Sequence, residues 1–300
     1  MFAASLPATP QAALERPVPV TVVIPTLNEA DRLPACLASV AWAAEVIVVD
    51  AGSNDGTVEL ARAAGARVIE CRGRTIGEQK NFGIASATQY WVLSVDADER
   101  VTTELRDAVD RAVRAPDARA FRVRLRNHYL GAVYMRGGWG RDWHIRLYPS
   151  TSRWSTHQVH EKLEVTGEIR DLDGFLEHDS YRDLPHQLRK ATTYAEWGAG
   201  DLLPRAGRVS AATLIGRPTW RFVKTYLLQG MWKEGTRGFV FCAVHAWACF
   251  SKYAVLWDRQ RRLAPVSRPV TEPAPAAEQT ITFSPTVPAA PVRSVASLQG

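Results

Sequence analysis

Val18-Pro-Val-Thr-Val-Val-Ile-Pro-Thr26 decides the fold. The run is short and apolar, and it ends in a proline and a threonine. That pattern suits a parallel strand buried on both faces. Asn28-Glu-Ala-Asp31 then opens a helix with Pro34 in its first turn, where a missing N–H costs nothing. Leu33, Leu37 and Val40 fall on one face of it. The alternation repeats down the chain. Glu45-Val-Ile-Val-Val-Asp50 predicts a second buried strand. Gly52 and Gly56 bracket a turn, and Asp55 or Thr57 caps a helix reaching Ala64. A third strand is expected over 67–70, a helix over 76–87, a fourth strand over 90–96, and a helix from Thr102 to about Arg114. Strands separated by helices imply an α/β fold with a parallel sheet and right-handed crossovers. Ligands bind such sheets beyond the carboxyl ends of the strands. Thr26, Asn28, Glu29, Asp50, Ser53, Asn54, Asp96 and Asp98 all gather there.

Composition narrows the class. The chain has 300 residues, 46% of them hydrophobic, which excludes wholesale disorder. Four cysteines without a Cys-x-x-Cys pair exclude a disulfide scaffold and suit a reducing, cytoplasmic setting. The net charge of +6 favours phosphates or an anionic membrane face without singling out nucleic acid. Residues 1–19 read as a disordered Ala/Pro-rich segment without the features of a signal peptide, and 261–300 as a disordered Pro/Ala-rich tail. No run of 18 uncharged apolar residues occurs, so no clear membrane-crossing helix is expected. Residues 239–257 come nearest, and they suit a half-buried helix or one lying on a membrane surface.

The chemistry is narrowed by elimination. No G-x-G-x-x-G follows the first strand and no P-loop is present, so phosphate must be held in another way. Ser94-Val-Asp96-Ala-Asp98-Glu99 offers one. Side chains two apart on an extended segment point the same way, so Asp96 and Asp98 converge at a strand end. Two carboxylates suit Mg²⁺ or Mn²⁺ bridging a diphosphate. The plainer alternative is a solvated acidic turn capping the next helix.

Three segments taken together resemble glycosyltransferase family 2. They are Val22-Val-Ile-Pro-Thr-Leu-Asn-Glu29, Val48-Val-Asp-Ala-Gly-Ser-Asn-Asp-Gly-Thr57 and Val95-Asp-Ala-Asp98, and both order and spacing match. The resemblance implies the GT-A nucleotide-sugar fold, a Rossmann-like and mostly parallel sheet. It also implies transfer of a sugar from a UDP- or GDP-linked donor with inversion. Nucleotide contacts are implied at Pro25, Thr26, Asn28, Glu29, Asp50 and Asp96, and metal and diphosphate contact at Asp96 and Asp98. Where many members have a second acid after the second strand, this chain has Ala51. Gly77-Glu-Gln-Lys80-Asn81-Phe-Gly83 resembles the family's basic helix, with Lys80 placed for donor phosphate or sugar.

The middle third is expected to serve the acceptor. Residues 120–126 alternate apolar with arginine, which predicts a half-buried strand with a basic face. Partner strands are expected over 129–135 and 142–148, and short extended pieces over 157–163 and 168–178. Arg126-Asn127-His-Tyr-Leu-Gly131, Gly137-Gly-Trp139, Asp142-Trp143, Arg146-Leu147, Val159-His160-Glu161-Lys-Leu163 and His178-Asp-Ser-Tyr181 resemble the branch that adds β-1,4-linked glucose to lipopolysaccharide core. An inverting transfer needs a base for the acceptor hydroxyl. Glu161 is the first candidate and Asp142 the second, with His160 beside Glu161 as a metal, phosphate or orienting group. Arg126, Trp139, Trp143 and Arg146 are candidates for acceptor binding, since arginine pairs with phosphate and indole stacks on sugar.

The expected organisation is therefore a GT-A domain over 20–182, with its nucleotide half over 20–100 and its acceptor half over 101–182. C-terminal helices follow over 183–260 and are suited to the cytoplasmic face of the inner membrane. The expected partners are UDP-glucose and a lipid-linked or lipopolysaccharide-core glycan. Rival readings are a polyprenyl-phosphate sugar transferase, a silent sugar-nucleotide-binding regulator and a nucleotidyltransferase.

Overall fold

The structure is a computed structural model. It describes residues 16–263 apart from 135, 137, 138, 140, 141 and 156–161. The alternation read from the sequence is present. β1 (Val18–Thr26), β2 (Ala43–Asp50), β3 (Arg67–Glu70) and β4 (Trp91–Ser94) are separated by α1 (Leu33–Ser39), α2 (Thr57–Ala63) and α3 (Ile76–Ser86). β3, β2, β1 and β4 lie side by side, every pair parallel. Val20, Val22, Val23 and Ile24 of β1 are fully buried, because helices cover both faces of a parallel sheet. α3 begins in a capping box: Thr75 accepts from the Glu78 amide and Glu78 accepts from the Thr75 amide.

Beyond β4 the sheet becomes mixed. β5 (Glu99–Val101) and α4 (Thr103–Arg114) lead into β6 (Ala120–Tyr129), β7 (Ala132–Tyr134) and β8 (Trp143–Pro149). β9 (Arg153–Trp154) and β10 (Leu163–Glu164) form a separate ribbon, and β11 (Ile169–Asp179) follows. The nine-stranded order is β3-β2-β1-β4-β8-β6-β11-β5, with β7 on the side of β6. β8 inserts antiparallel between β4 and β6, while β11 runs parallel to β6. The segment expected as a short extended piece over 168–178 is thus a full strand inside the sheet. Its register slips between Asp171 and Phe175, where Gly174 adopts φ +89°. A Cβ there would stand 2.3 Å from the Leu105 amide nitrogen, so only glycine fits. α4 buries Leu105, Ala108, Val109, Ala112 and Val113, one face at helical spacing.

Three helices close the fold: α5 (Leu184–Leu202), α6 (Ala211–Val223) and α7 (Gly235–Leu263). A π-helical turn (Lys224–Leu228) and a 3₁₀ turn (Met231–Glu234) link the last two. Phe241 and Cys242 of α7 pack with Tyr129 and Tyr134 of the sheet. Leu256 packs with Ala199 and Val209. Contrary to the expectation that no helix is long and apolar enough to cross a membrane, the stretch Met231–Leu263 is, by length and composition. Its other charges sit near its ends, which leaves a middle whose one charged side chain is Lys252.

Candidate functional site

The carboxyl ends of β1 and β2 carry two loops knitted together by backbone amides. Asp50 is 1% exposed and accepts four hydrogen bonds. Thr26 Oγ1 donates to Oδ1 at 3.0 Å, the Ser53 hydroxyl also donates to Oδ1, and the Gly52 and Ser53 amides donate to Oδ2 at 2.9 and 2.8 Å. Burial pushes its pKa up, but the bonds from Ser53, Gly52 and Thr26 prevail and hold it below the usual carboxylate range. Asp50 therefore shapes the loop after β2. Asn28 sits in the left-handed region at φ 56°, a conformation asparagine tolerates. Its amide donates to Ser53 Oγ at 2.8 Å and its Oδ1 accepts from the Asn54 amide at 3.0 Å. The Glu29 amide donates to Thr57 Oγ1 and the Ala30 amide to Asp55. Pro25 is half-buried beneath this rim.

The second cluster lies past the end of β4. Asp96 receives Arg146 Nη2 on Oδ2 at 2.9 Å, with Lys80 Nζ 3.6 Å from Oδ1. Burial opposes ionisation, yet Arg146 and Lys80 hold this carboxyl far below its ordinary pKa. Glu99, fully buried, accepts from the same Arg146 guanidinium and from the Asp96 amide. Burial and the neighbouring Asp96 push its pKa up to about 7. Asp98 Oδ2 accepts from Arg32 Nη1 at 3.1 Å and lies 3.6 Å from His178 Nε2. Arg32 Nη2 is buried without a partner among the described residues, a donor left pointing at no acceptor.

From Asp98 a chain of contacts runs into the acceptor half. His178 Nδ1 meets Asn127 Oδ1 at 2.7 Å, and Asn127 Nδ2 donates to Asp142 Oδ2 at 3.1 Å. Because the Asn127 amide group donates to Asp142, its oxygen must accept, which places a proton on His178 Nδ1. Asp142 Oδ1 contacts His144 Nε2 at 2.8 Å. Burial opposes, but His144 and Asn127 lower the Asp142 pKa below the ordinary carboxylate value.

The remaining expected residues are placed as follows. Arg146 was expected at the acceptor. It is instead 5% exposed and committed to Asp96 and Glu99, since β8 lies directly beside β4. Lys80 is buried between Asp96 and the Trp154 ring, 4.5 Å from its centroid. Trp139 packs edge-on against Tyr129, Tyr134 and Phe241, so its ring serves the core. Arg126 pairs with Glu177 through Nε at 2.9 Å and lies over Phe175. Trp143 is half-buried beside Arg122. His160 and Glu161 lie outside the described residues.

Residues 21–161 match the family model for glycosyl transferase family 2. The chain carries a glycosyltransferase family 2 domain. Curated relatives carry the same activity in their names. An uncharacterized glycosyltransferase of Rickettsia prowazekii is 29% identical over 253 residues, 80% of this chain and 87% of that protein. The lipopolysaccharide core biosynthesis glycosyltransferase LpsC of Rhizobium meliloti is 28% identical over 251 residues, 81% of this chain and 93% of that protein. Among solved structures, the glucosyl-3-phosphoglycerate synthase of Mycobacterium tuberculosis in complex with Mn²⁺, uridine diphosphate and phosphoglyceric acid is 24% identical. Its TM-score is 0.31, with 38% of this chain and 44% of that one covered. This chain thus spans under half of that structure's length.

Four residues of this candidate site carry no signal of their own in the sequence. Arg32 and Arg182 look like helix-flanking surface charges. Asn127 falls on the buried face of β6 with Phe121, Val123 and Leu125 and is 1% exposed, a place where alternation leads one to expect an apolar packing residue. His178 is visible only within a motif, with no role attached. Arg182 follows β11 and grips Asp31 with two bonds of 2.6 Å, reaching Glu29 and the Asn28 carbonyl at 3.2 Å each.

Proposed function

We propose that this glycosyltransferase moves a hexose, glucose from UDP-glucose, with inversion onto a cell-envelope glycan of the lipopolysaccharide inner-core type. It would do so at the cytoplasmic face of the inner membrane. The observation that carries the reading is the Asp96–Asp98 pair beyond β4, ringed by Lys80, Arg146, Arg32 and His178. The name of the Rhizobium meliloti relative supports the acceptor class.

A divalent cation, Mg²⁺ or Mn²⁺, fits this donor set, because hard carboxylate oxygens stand at a strand end and Asp96 is 34% exposed. Among the described residues no group of three or more His, Cys, Asp or Glu side chains forms a complete cage, so Asp96 and Asp98 would share the ion with donor phosphate. When bound, the ion would neutralise charge on the departing diphosphate. Lys80 and Arg146 hold Asp96 ionised for this task. The unpaired Arg32 Nη2 is available to a phosphate oxygen. Glu161 is the proposed base that takes the acceptor hydroxyl proton during in-line attack. Asp142, oriented by Asn127 and His144, is the alternative.

The test is thermal unfolding with a panel of nucleotide sugars, each with and without Mn²⁺. A ligand of the folded state raises the midpoint by mass action. Metal-dependent stabilisation by UDP-glucose, abolished in Asp98→Ala, is the expected result; no shift with any donor would sink the reading. Glu161→Gln is expected to keep donor binding and to lose turnover by about 10²-fold. If it retains turnover while Asp142→Asn does not, the base is Asp142.

A further inference from the structure

The C-terminal helices carry a surface that the transfer reaction does not use. Residues 184–263 hold thirteen Lys and Arg against four Asp and Glu, a net charge of +9 in a chain whose total is +6. The rest of the protein is therefore net acidic, and the net positive surplus lies in this layer. Within it, α6 buries none of its residues completely. Leu214, Phe222 and Tyr226 turn toward α7 and the core. Other apolar side chains of this region are open to solvent: Ile215 is 69% exposed, Trp220 59%, Leu227 55% and Leu228 69%. Trp220 and Leu227 lie seven positions apart, about two helical turns, with Leu228 next to Leu227, and Ile215 precedes Trp220 by five positions. Trp232 and Phe239, also half-exposed, extend this apolar patch to the start of α7. Arg208, Arg221 and Lys224 are exposed along it.

We propose that this patch of α6, the π-helical turn and the start of α7 docks flat on an anionic bilayer surface. Indole rings and leucines would enter the headgroup boundary while Arg221 and Lys224 meet lipid phosphates, the arrangement an interfacial helix requires. Charge decides the partner, because a surplus of +9 concentrated beside exposed indoles matches an anionic lipid face. It lies on the surface rather than across the membrane, because α7 is tied to the rest of the fold at two separate points. Phe241 and Cys242 are buried against the sheet's tyrosines and Leu256 against α5. The inference adds to the proposed function the place where a lipid-borne acceptor is met, and it stands without the identity of the donor.

The full chain is floated with vesicles of phosphatidylglycerol mixed with phosphatidylcholine and with vesicles of phosphatidylcholine alone. Binding is expected to the anionic vesicles, to weaken as salt rises, and to be released by an alkaline wash. Trp220→Ser with Leu228→Ser, and separately Arg221→Glu with Lys224→Glu, are each expected to weaken binding about tenfold or more. Thermal midpoints should stay near wild type because all four side chains are exposed. The salt series on the wild type tests the same point without any variant. Failure to bind either vesicle, equal binding to both, or variants that bind like the wild type would overturn the proposal. Retention after the alkaline wash would overturn it in favour of a spanning helix. Nucleotide-sugar binding by the same preparation in solution reports separately on the transferase reading.

Discussion

At the scale of single residues, Asp50 shows how a carboxylate can build a binding rim. Its two oxygens offer about four acceptor positions, and four protein donors take them. Asp50→Asn replaces one acceptor oxygen by a donor that faces the Gly52 or Thr26 side, so the variant should lose about 1–3 kcal/mol at neutral pH. The pH dependence follows from the lowered pKa. Stability that depends on the ionised carboxylate is fully present above the unfolded-state value of about 3.9 and is lost as pH falls through the folded value. Denaturant titrations of the two proteins should therefore differ most near neutrality and converge in acid. A gap that stays constant down to the acid limit would show that the charge of Asp50 contributes nothing.

At the scale of elements, the legible parts were those whose signals are local. β1 to β4 read correctly because each has a short apolar or β-branched centre between turn residues. β5 has three residues, too few to carry a period, and β11 contains four acidic residues and a glycine kink, which erase the alternation. Arg32 reaches Asp98 across 66 positions and Arg182 reaches Asp31 across 151, so only the tertiary fold brings those charges together. α3 meets β1 at one point of very close approach. A Cβ on Gly83 would stand 2.3 Å from Val23 Cγ1, and Val23 is fully buried. Gly83→Ala is expected to destabilise by about 1–3 kcal/mol through overpacking. Adding Val23→Ala should recover part of that loss, a coupling that a double-mutant cycle measures. Strict additivity would mean that the helix shifts freely and the contact does not fix its seat.

At the scale of the whole molecule, Arg182 joins the segment after the last strand to the loop after the first. It stands between the last strand and α5, and it grips the loop that follows the first strand. The side chain is 36% exposed, so its removal should cost about 1 kcal/mol or less in stability. Its effect on the Asn28–Asp31 rim should be larger than its effect on folding. Arg182→Ala is expected to weaken donor binding several-fold with little change in melting temperature, read by donor titration beside thermal unfolding. Unchanged affinity would make Arg182 a surface tie with no part in holding the rim.

The Val23–Gly83 contact also constrains how this fold changes by descent. Neither position can drift alone: a side chain at 83 is tolerated only after position 23 has become smaller, whereas a smaller residue at 23 opens a gap that a methyl at 83 can fill. The two positions should accordingly be inherited as a linked pair among descendants of this chain, 60 residues apart in sequence yet with no room for one methyl between them.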